Sequence, residues 1–195
     1  RVAREALAHD LAGFEFAAGI PGSFGGAVAM NAGAYGGEMK QIVESAEVLT
    51  SEGEVLNLTN EELGMGYRTS VIAKNDYVAL SAVLKLEKGD RQEIRAYMED
   101  LKERRVTKQP LEFGSAGSTF KRPEGYFAGK LIQDSGMQGY RVGDAQVSEK
   151  HCGFVINRGN ATAAEVMQLM KDVADRVEEK FGVRLEPEVR RIGEF

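Results

Sequence analysis

The chain has 195 residues, a net charge of -5, and 43% hydrophobic and 28% charged residues, a composition typical of a globular protein with a buried core. The charges are spread without a basic run, which argues against a nucleic-acid partner. The apolar stretches are shorter than the ~20 residues of a membrane-spanning helix, and no signal peptide is recognisable. A single cysteine, Cys152, excludes an internal disulfide. We therefore predict a cytoplasmic protein with no metal site and no membrane insertion.

The first half of the chain predicts a helix, a glycine-rich segment, a hairpin and a strand. Apolar residues recur at helical spacing from Val2 to Leu11, before Gly13. The stretch from residue 19 to 39, called the glycine segment below, holds seven glycines and outlines a loop, a short helical turn and another loop. VESAEVLT and EVLNLT predict a hairpin, LGMGYRTSVI a loop, and YVALSAVLKLEKG a strand.

The second half opens with a charged helix, RQEIRAYMEDLKERR, and we place a domain boundary near residue 90. A long loop, TKQPLEFGSAGSTFKRPEG, precedes a short helix in FAGKLIQDSG and an apolar strand in CGFVIN. Thr162 and Glu165 form a capping-box pattern before an amphipathic helix that ends at Gly182. VRLEPEVRRIG predicts a final strand. This order of elements indicates two α+β domains.

The glycine segment is open to two interpretations. Backbone N–H groups at the start of a helix suit a phosphate, and a bare glycine surface suits an aromatic ring system. A tight structural turn would explain the same glycines. Composition alone does not decide between a binding surface and a turn.

Three polar residues are candidates for chemistry: Arg68 in GMGYRTS, Ser118 in GSAGSTFKRP and Glu188 in LEPEVR. Small neighbours leave the Ser118 hydroxyl uncovered, and strand alternation would turn Glu188 away from the adjacent apolar residues. Each also has a structural explanation, as an ion pair, a turn residue and an exposed strand position. Lys108 could favour a helix dipole or hold an anionic substrate. Neither histidine has a recognisable catalytic context.

Several segments, in the same order and over nearly the whole chain, resemble the UDP-N-acetylenolpyruvoylglucosamine reductases, the flavoenzymes of bacterial peptidoglycan synthesis. They are GIPGSFGGAVAMNAGAYG, GYRTS, TKQP with SAGSTFKRP, FAGKLIQDSGMQGYRVGDAQVS, and LEPEVRRIG. The resemblance implies the second lobe of a two-lobed FAD-binding domain of the PCMH/VAO type over residues 1–90. It implies an α+β substrate-binding domain over residues 91–195. The chain looks like the shorter branch of the family.

The resemblance also implies an activity: NADPH-dependent reduction of UDP-N-acetylglucosamine enolpyruvate to UDP-N-acetylmuramate, with FAD as cofactor and roles in cell-wall biogenesis, cell shape and division. It assigns Arg68 to charge stabilisation, Ser118 to protonation of carbon and Glu188 to assistance of either step. It implies substrate contacts at Tyr67, Lys108 and Arg122, where Arg122 replaces the asparagine of many members. It implies FAD contacts at Gly22, Ser23, Gly25, Gly26, Asn31, Gly33, Ala34 and Tyr35.

Arg1 lies inside an apparently helical run, so we expect the chain to be a fragment that lacks the N-terminal FAD-binding lobe. We expect it to bind FAD weakly or not at all and to be inactive alone. Two alternatives stay open. One is another FAD oxidoreductase of the same fold, which leaves GSTF and EPEVR unassigned. The other is a non-catalytic module that binds a nucleotide sugar.

Overall fold

The computed structural model describes residues 1–193, and the chain divides between Arg104 and Arg105 into two compact units. The division falls within the helix Arg91–Lys108, α4. None of the helices in this part of the chain is long and apolar enough to cross a membrane. In the first unit the elements are α1 Val2–Ala8, β1 Leu11–Ala12, α2 Phe24–Ala29, β2 Gly33–Ala34, β3 Gly37–Glu38, β4 Val43–Leu49, β5 Val55–Thr59, α3 Val71–Lys74, β6 Val78–Leu84, β7 Glu87–Lys88 and α4 Arg91–Lys108.

The first unit is built on an antiparallel sheet in the order β5-β4-β6. The predicted hairpin is confirmed, since β4 and β5 pair in continuous register from Ser45↔Thr59 to Leu49↔Val55. Alternate residues of β4 enter the core, where Val48 is fully buried with Met39, Leu63 and Ile72. Helix α2 packs against β6.

Three predictions in the first unit are wrong. The first helix ends at Ala8, because Asp10 adopts a left-handed conformation (φ 58°), and Leu11 instead pairs with Lys88 in a small β1-β7 ladder. The predicted strand YVALSAVLKLEKG is two strands in two different sheets, β6 and β7. Likewise, the loop predicted over LGMGYRTSVI ends early, where α3 begins at Val71.

The second unit is an antiparallel sheet in the order β8 (Gly114–Ser118), β11 (Phe154–Asn157), β10 (Ala145–Val147) and β9 (Arg141–Val142), with one long helix packed on it. That helix shows the predicted capping box: the Thr162 hydroxyl accepts from the Glu165 N–H at 3.2 Å, and Glu165 Oε2 accepts from the Thr162 N–H at 2.8 Å. Gly182 ends it at φ 67°. The elements are β8 Gly114–Ser118, α5 Ala128–Asp134, β9 Arg141–Val142, β10 Ala145–Val147, β11 Phe154–Asn157 and α6 Ala163–Phe181.

Two further predictions fail in the second unit. The long loop before α5 contains β8, a strand whose glycines and serines carry little strand propensity and which forms by pairing with β11. The final strand predicted over VRLEPEVRRIG is only an isolated bridge, Phe120↔Pro187. Pro187 has no N–H to donate, so it limits a longer ladder at this edge.

Candidate functional site

The glycine segment forms one side of a cavity of about 560 Å³ in the first unit. Apolar side chains contribute most of the lining, including Phe24 and Met30. Ser23 caps helix α2 at this edge, since its hydroxyl accepts from the Gly26 N–H at 3.1 Å. The surface combines exposed backbone with flat apolar side chains, which suits a partly aromatic ligand.

The predicted FAD contacts fall into two groups in the structure. Gly22, Ser23 and Gly26 line the cavity. Gly25 instead faces β6, where a Cβ would lie 3.5 Å from the Ala79 carbonyl oxygen, so its backbone serves helix packing. The remaining predicted contacts lie in or next to the β2-β3 hairpin: Asn31, Gly33, Ala34 and Tyr35.

Non-glycine residues with a left-handed backbone are concentrated around these elements. Asn31, Tyr35 and Arg68 have φ values of 44°, 54° and 55°. The short polar side chain of Asn31 tolerates this conformation, but it is uncommon for tyrosine and arginine, and such strain is found most often at functional sites. Tyr35 and Arg68 therefore mark the glycine segment and the GYRTS loop as candidates for a binding role.

Arg68 lies in a tight turn closed by the pair Gly66↔Thr69. Each of these two residues donates its N–H to the carbonyl of the other, at 3.0 and 3.2 Å. The guanidinium carbon lies 5.0 Å from the ring centroid of Tyr67, which is itself 54% exposed. The turn thus presents a cation next to an aromatic ring, both accessible to a ligand.

Ser118 ends strand β8 beside an irregularity in the sheet. Between the pairs Phe154↔Ser118 and Ile156↔Ser115, β8 holds one residue more than β11. Gly117 takes up the extra length at φ 82°. The Val155 N–H donates to the Thr119 hydroxyl at 3.0 Å, which satisfies the interrupted ladder. Ser118 itself is exposed, as the sequence predicted.

The structure brings Glu188 next to this strand. The Glu188 N–H donates to the Thr119 carbonyl at 2.9 Å, and the Lys121 N–H donates to the Glu186 carbonyl at 2.8 Å. The segment 186–188 therefore runs antiparallel to residues 119–121, directly after the end of β8, although it forms no regular strand. Glu188 is half-buried there, hydrogen-bonded through its N–H to Thr119, the residue that follows Ser118.

Lys108 and Arg122 occupy different surroundings in the second unit. Lys108 is exposed in the last turn of α4. Arg122 donates to the Tyr126 carbonyl at 3.1 Å, and its guanidinium carbon lies 4.0 Å from the Phe127 ring centroid. The Arg122 side chain therefore holds the loop 122–127 together. This structural role is separate from the predicted substrate contact.

His151 has no recognisable catalytic context in the sequence, but its surroundings in the structure make it a candidate. Its backbone N–H and that of Lys150 donate to the buried Ser148 hydroxyl, which fixes the turn before β11. Lys150 Nζ donates to the Val106 carbonyl at 2.9 Å, which ties this turn to the last turn of α4, where Lys108 also lies. The spacing Ser-x-x-His before an apolar strand is the signal that could have found it.

The His151 ring is held in one state. Its Nδ1 accepts from the Gly153 N–H at 3.1 Å, so the neutral ring carries its proton on Nε2. Burial is the largest influence and lowers the pKa of His151, a backbone hydrogen bond opposes this effect, and the Lys108 charge lowers the pKa further. The Gly153 carbonyl accepts from the Thr119 N–H at 2.8 Å, which places this turn beside β8.

Two family models match the chain. The model described as "UDP-N-acetylenolpyruvoylglucosamine reductase, C-terminal domain" matches residues 109–192, and the model described as "FAD binding domain" matches residues 1–59. A curated protein of Lachnoclostridium phytofermentans named UDP-N-acetylenolpyruvoylglucosamine reductase is 64% identical over 95% of this chain and 60% of its own length. One of the same name from Agathobacter rectalis is 59% identical over 100% of this chain and 62% of its own length.

A solved structure agrees with these matches. The crystal structure of UDP-N-acetylenolpyruvylglucosamine reductase from Thermus caldophilus is 39% identical, covers 96% of this chain and 67% of its own, and superposes with a TM-score of 0.83. The chain belongs to the UDP-N-acetylenolpyruvoylglucosamine reductase family. Membership confirms the predicted α+β layout, an FAD-binding region followed by the reductase C-terminal domain. The chain spans about three-fifths of the length of the curated reductases it matches.

The neighbourhood of Lys108 and His151 can be tested by NMR in the full-length reductase. We expect the imidazole of His151, identified by loss of its signal in His151→Gln, to titrate below the usual histidine range and to be neutral at pH 7. Lys108→Ala removes a nearby positive charge, which makes protonation easier and raises the His151 pKa. Lys180→Ala changes the net charge equally at a lysine that does not act on His151, and it should leave the titration unchanged. An unchanged titration in Lys108→Ala would contradict this arrangement.

Proposed function

We propose that the full-length protein is an FAD enzyme that uses NADPH to reduce UDP-N-acetylglucosamine enolpyruvate to UDP-N-acetylmuramate in peptidoglycan synthesis. The observation that carries the proposal is the coexistence, in one reductase-family chain, of a glycine-lined cavity and of Ser118 and Glu188 brought together at the end of β8 by Thr119. A different FAD oxidoreductase accounts for the cavity but not for this pair of residues. A non-catalytic binding module accounts for neither the strained Arg68 turn nor the exposed serine.

The cavity beside α2 fits part of a flavin cofactor. At Gly22, with φ 128°, no atom lies within 4 Å of a built Cβ, so the bare backbone leaves room for a ligand. Phe24, Ala27 and Met30 offer an apolar surface for a ring system. These residues, with Ser23 and Gly26, would hold one side of FAD. When bound, FAD supplies the hydride-transfer chemistry that protein side chains lack.

The residues of the chain supply charge and proton. Reduction adds a hydride to the terminal carbon of the enolpyruvyl double bond and a proton to the neighbouring carbon, which bears the carboxylate. Negative charge builds on that carboxylate, and we assign its stabilisation to the Arg68 guanidinium, whose planar fork matches a carboxylate. We assign delivery of the proton to the exposed Ser118 hydroxyl, and Glu188 assists this transfer or the stabilisation.

The remaining polar residues would bind the nucleotide sugar. Its diphosphate is anionic, and Lys108 and Arg122 offer positive charges in the second unit. Tyr67 offers a ring and a hydroxyl beside Arg68. His151, which the geometry adds to this group, offers an Nε2–H donor while neutral.

The division of labour follows the predicted domains. We assign cofactor binding to residues 1–90, which also supply Tyr67 and Arg68 to the substrate, and the substrate-binding domain to residues 91–195. We assign a cytoplasmic location to the whole enzyme. The compact units divide later in the chain, inside α4. We propose that the 195 residues alone are inactive and hold FAD weakly, since the curated relatives have a further two-fifths of their length that this chain does not cover.

Ser118→Ala tests the proposed reaction. In the full-length wild-type protein, NADPH oxidation should require UDP-N-acetylglucosamine enolpyruvate. In Ser118→Ala, flavin absorbance should be lost on adding NADPH at a near-normal rate. The rate at which absorbance recovers on adding the enolpyruvate should fall by about 10³-fold, since a general acid contributes about 10²–10⁴-fold to a rate.

Ser115→Ala is the matched control, because it removes another exposed hydroxyl from the same strand. Equal slowing of both steps in Ser118→Ala would count against a role in protonation. A wild-type protein that oxidises NADPH at the same rate without the enolpyruvate would refute the proposed function.

Arg68→Lys tests the carboxylate contact. Both residues carry a Cβ, so the strain of the left-handed turn is the same and only the planar fork is lost. We expect turnover to fall by on the order of 10²-fold, as for loss of one stabilising donor. Arg95→Lys on the exposed face of α4 should leave turnover unchanged. Near-normal turnover in Arg68→Lys, measured by NADPH oxidation, would assign Arg68 a surface role only.

A further inference from the structure

We propose that Asn31 is a positioning residue that holds the Arg68 turn against the end of the glycine segment, with Ser70 as a second anchor. The chemical consequence of this anchoring rests on the proposed function, whereas the anchoring itself does not. The sequence analysis predicted Asn31 as an FAD contact. Its side chain, however, is 2% exposed and engaged entirely by hydrogen bonds to the protein.

The Asn31 amide connects three stretches of chain. Its Nδ2 donates to Glu38 Oε2 at 3.0 Å and to the Gly66 carbonyl at 3.1 Å. Its Oδ1 accepts from the Lys40 N–H at 2.8 Å. Gly66 is the residue that closes the Arg68 turn by pairing with Thr69. One side chain of the glycine segment therefore sets the position of the turn that carries the arginine.

The orientation of this amide is determined by its partners. Two acceptors surround the nitrogen and one backbone donor faces the oxygen, so a rotated amide would place like groups against each other. An aspartate at this position has nearly the same shape and also tolerates the left-handed backbone of residue 31. It would set a charged oxygen against the Glu38 carboxylate and the Gly66 carbonyl. Asn31→Asp therefore removes the anchor without changing the local fold preference.

Ser70 provides the second link, on the far side of the turn. It occupies the position before α3, where a serine commonly caps the helix, but its side chain makes no cap. Instead, its hydroxyl donates to the Ala29 carbonyl at 2.6 Å, at the end of α2, and Ser70 is fully buried. The Arg68 turn is thus tied to the glycine segment both before and after the arginine.

These anchors matter because the turn is strained. Arg68 has φ 55°, a conformation that favours glycine at the third position of a tight turn. A residue in such a conformation persists when its surroundings hold it there. When the hydrogen bond from Asn31 or from Ser70 is lost, we expect the Arg68 backbone to leave the left-handed region and the guanidinium to move with it.

The experiment compares Asn31→Asp with Asn57→Asp in the full-length protein. Asn57 is exposed on β5 and receives the same change of group and charge. Hydrogen exchange is followed by mass spectrometry over residues 64–70, with residues 55–59 as the reference. Both steps of the proposed reaction are measured per bound flavin. We expect faster exchange at 64–70 and a substrate-dependent step slowed by about 10- to 100-fold, since small misplacements cost that much, with the NADPH-dependent step changed less than about twofold.

Ser70→Ala is the second variant, and it adds no charge. If Asn31→Asp does not accumulate as folded protein, Ser70→Ala alone tests whether the turn is anchored to the glycine segment. Unchanged exchange at 64–70 in the folded variants would overturn the anchoring. Faster exchange with both steps slowed alike would overturn the positioning role, because it would indicate a general loss of structure. If the wild-type protein does not reduce the enolpyruvate, the proposed function fails, and the exchange result still decides whether Asn31 holds the turn.

Discussion

The glycine segment depends on packing so close that a Cβ has no space at two of its glycines. A Cβ on Gly37 would lie 2.5 Å from the ring of Phe16, which is buried and cannot move aside. A Cβ on Gly33 would lie 2.8 Å from the Gly37 carbonyl oxygen. The β2-β3 hairpin can therefore pack on Phe16 only with glycine at both positions. Gly22, by contrast, faces open space at the cavity. Some glycines of the segment thus allow close packing, and others leave backbone exposed. The interpretation as a tight structural turn fits the first group, and the interpretation as a binding surface fits the second.

In the second unit, Thr119 holds neighbouring chain segments in place through hydrogen bonds, where the glycine segment depends on close packing. Its N–H and carbonyl bond to Gly153 and Glu188 on opposite sides, and its hydroxyl accepts from Val155. It is buried, so each of these bonds is shielded from water. Because Thr119 follows Ser118 directly, the exposed serine is held by a residue that has no free polar group. Hydrogen bonds of Thr119 therefore fix the backbone at the candidate acid and at the candidate glutamate.

Local signals in the sequence were sufficient where a structure depends on neighbours in the chain. The Thr162–Glu165 box, the Gly182 end and the β4-β5 hairpin all follow from residues within a few positions of one another. The β8 strand and the bridge at Pro187 depend on partners far along the chain, which periodicity does not report. The resemblance located Arg68, Ser118 and Glu188 by motif. It could not show that the Asn31 amide is used within the protein, because Gly66 lies 35 residues away.

The residues with a left-handed backbone are of two kinds. Asp10 and Asp76 are left-handed too, at φ 58° and 54°, but a short polar side chain tolerates this region at little cost. Tyr35 and Arg68 have larger side chains, for which the left-handed backbone itself is less favourable than for glycine by on the order of 1 kcal/mol. Tyr35 sits in the two-residue turn of the β2-β3 hairpin with Gly36, at a place where Asn or Gly is usual. A large side chain at such positions has to be held by its surroundings. At Arg68 the surroundings are Asn31 and Ser70, so the buried polar groups around the turn are explained by the strain that they offset.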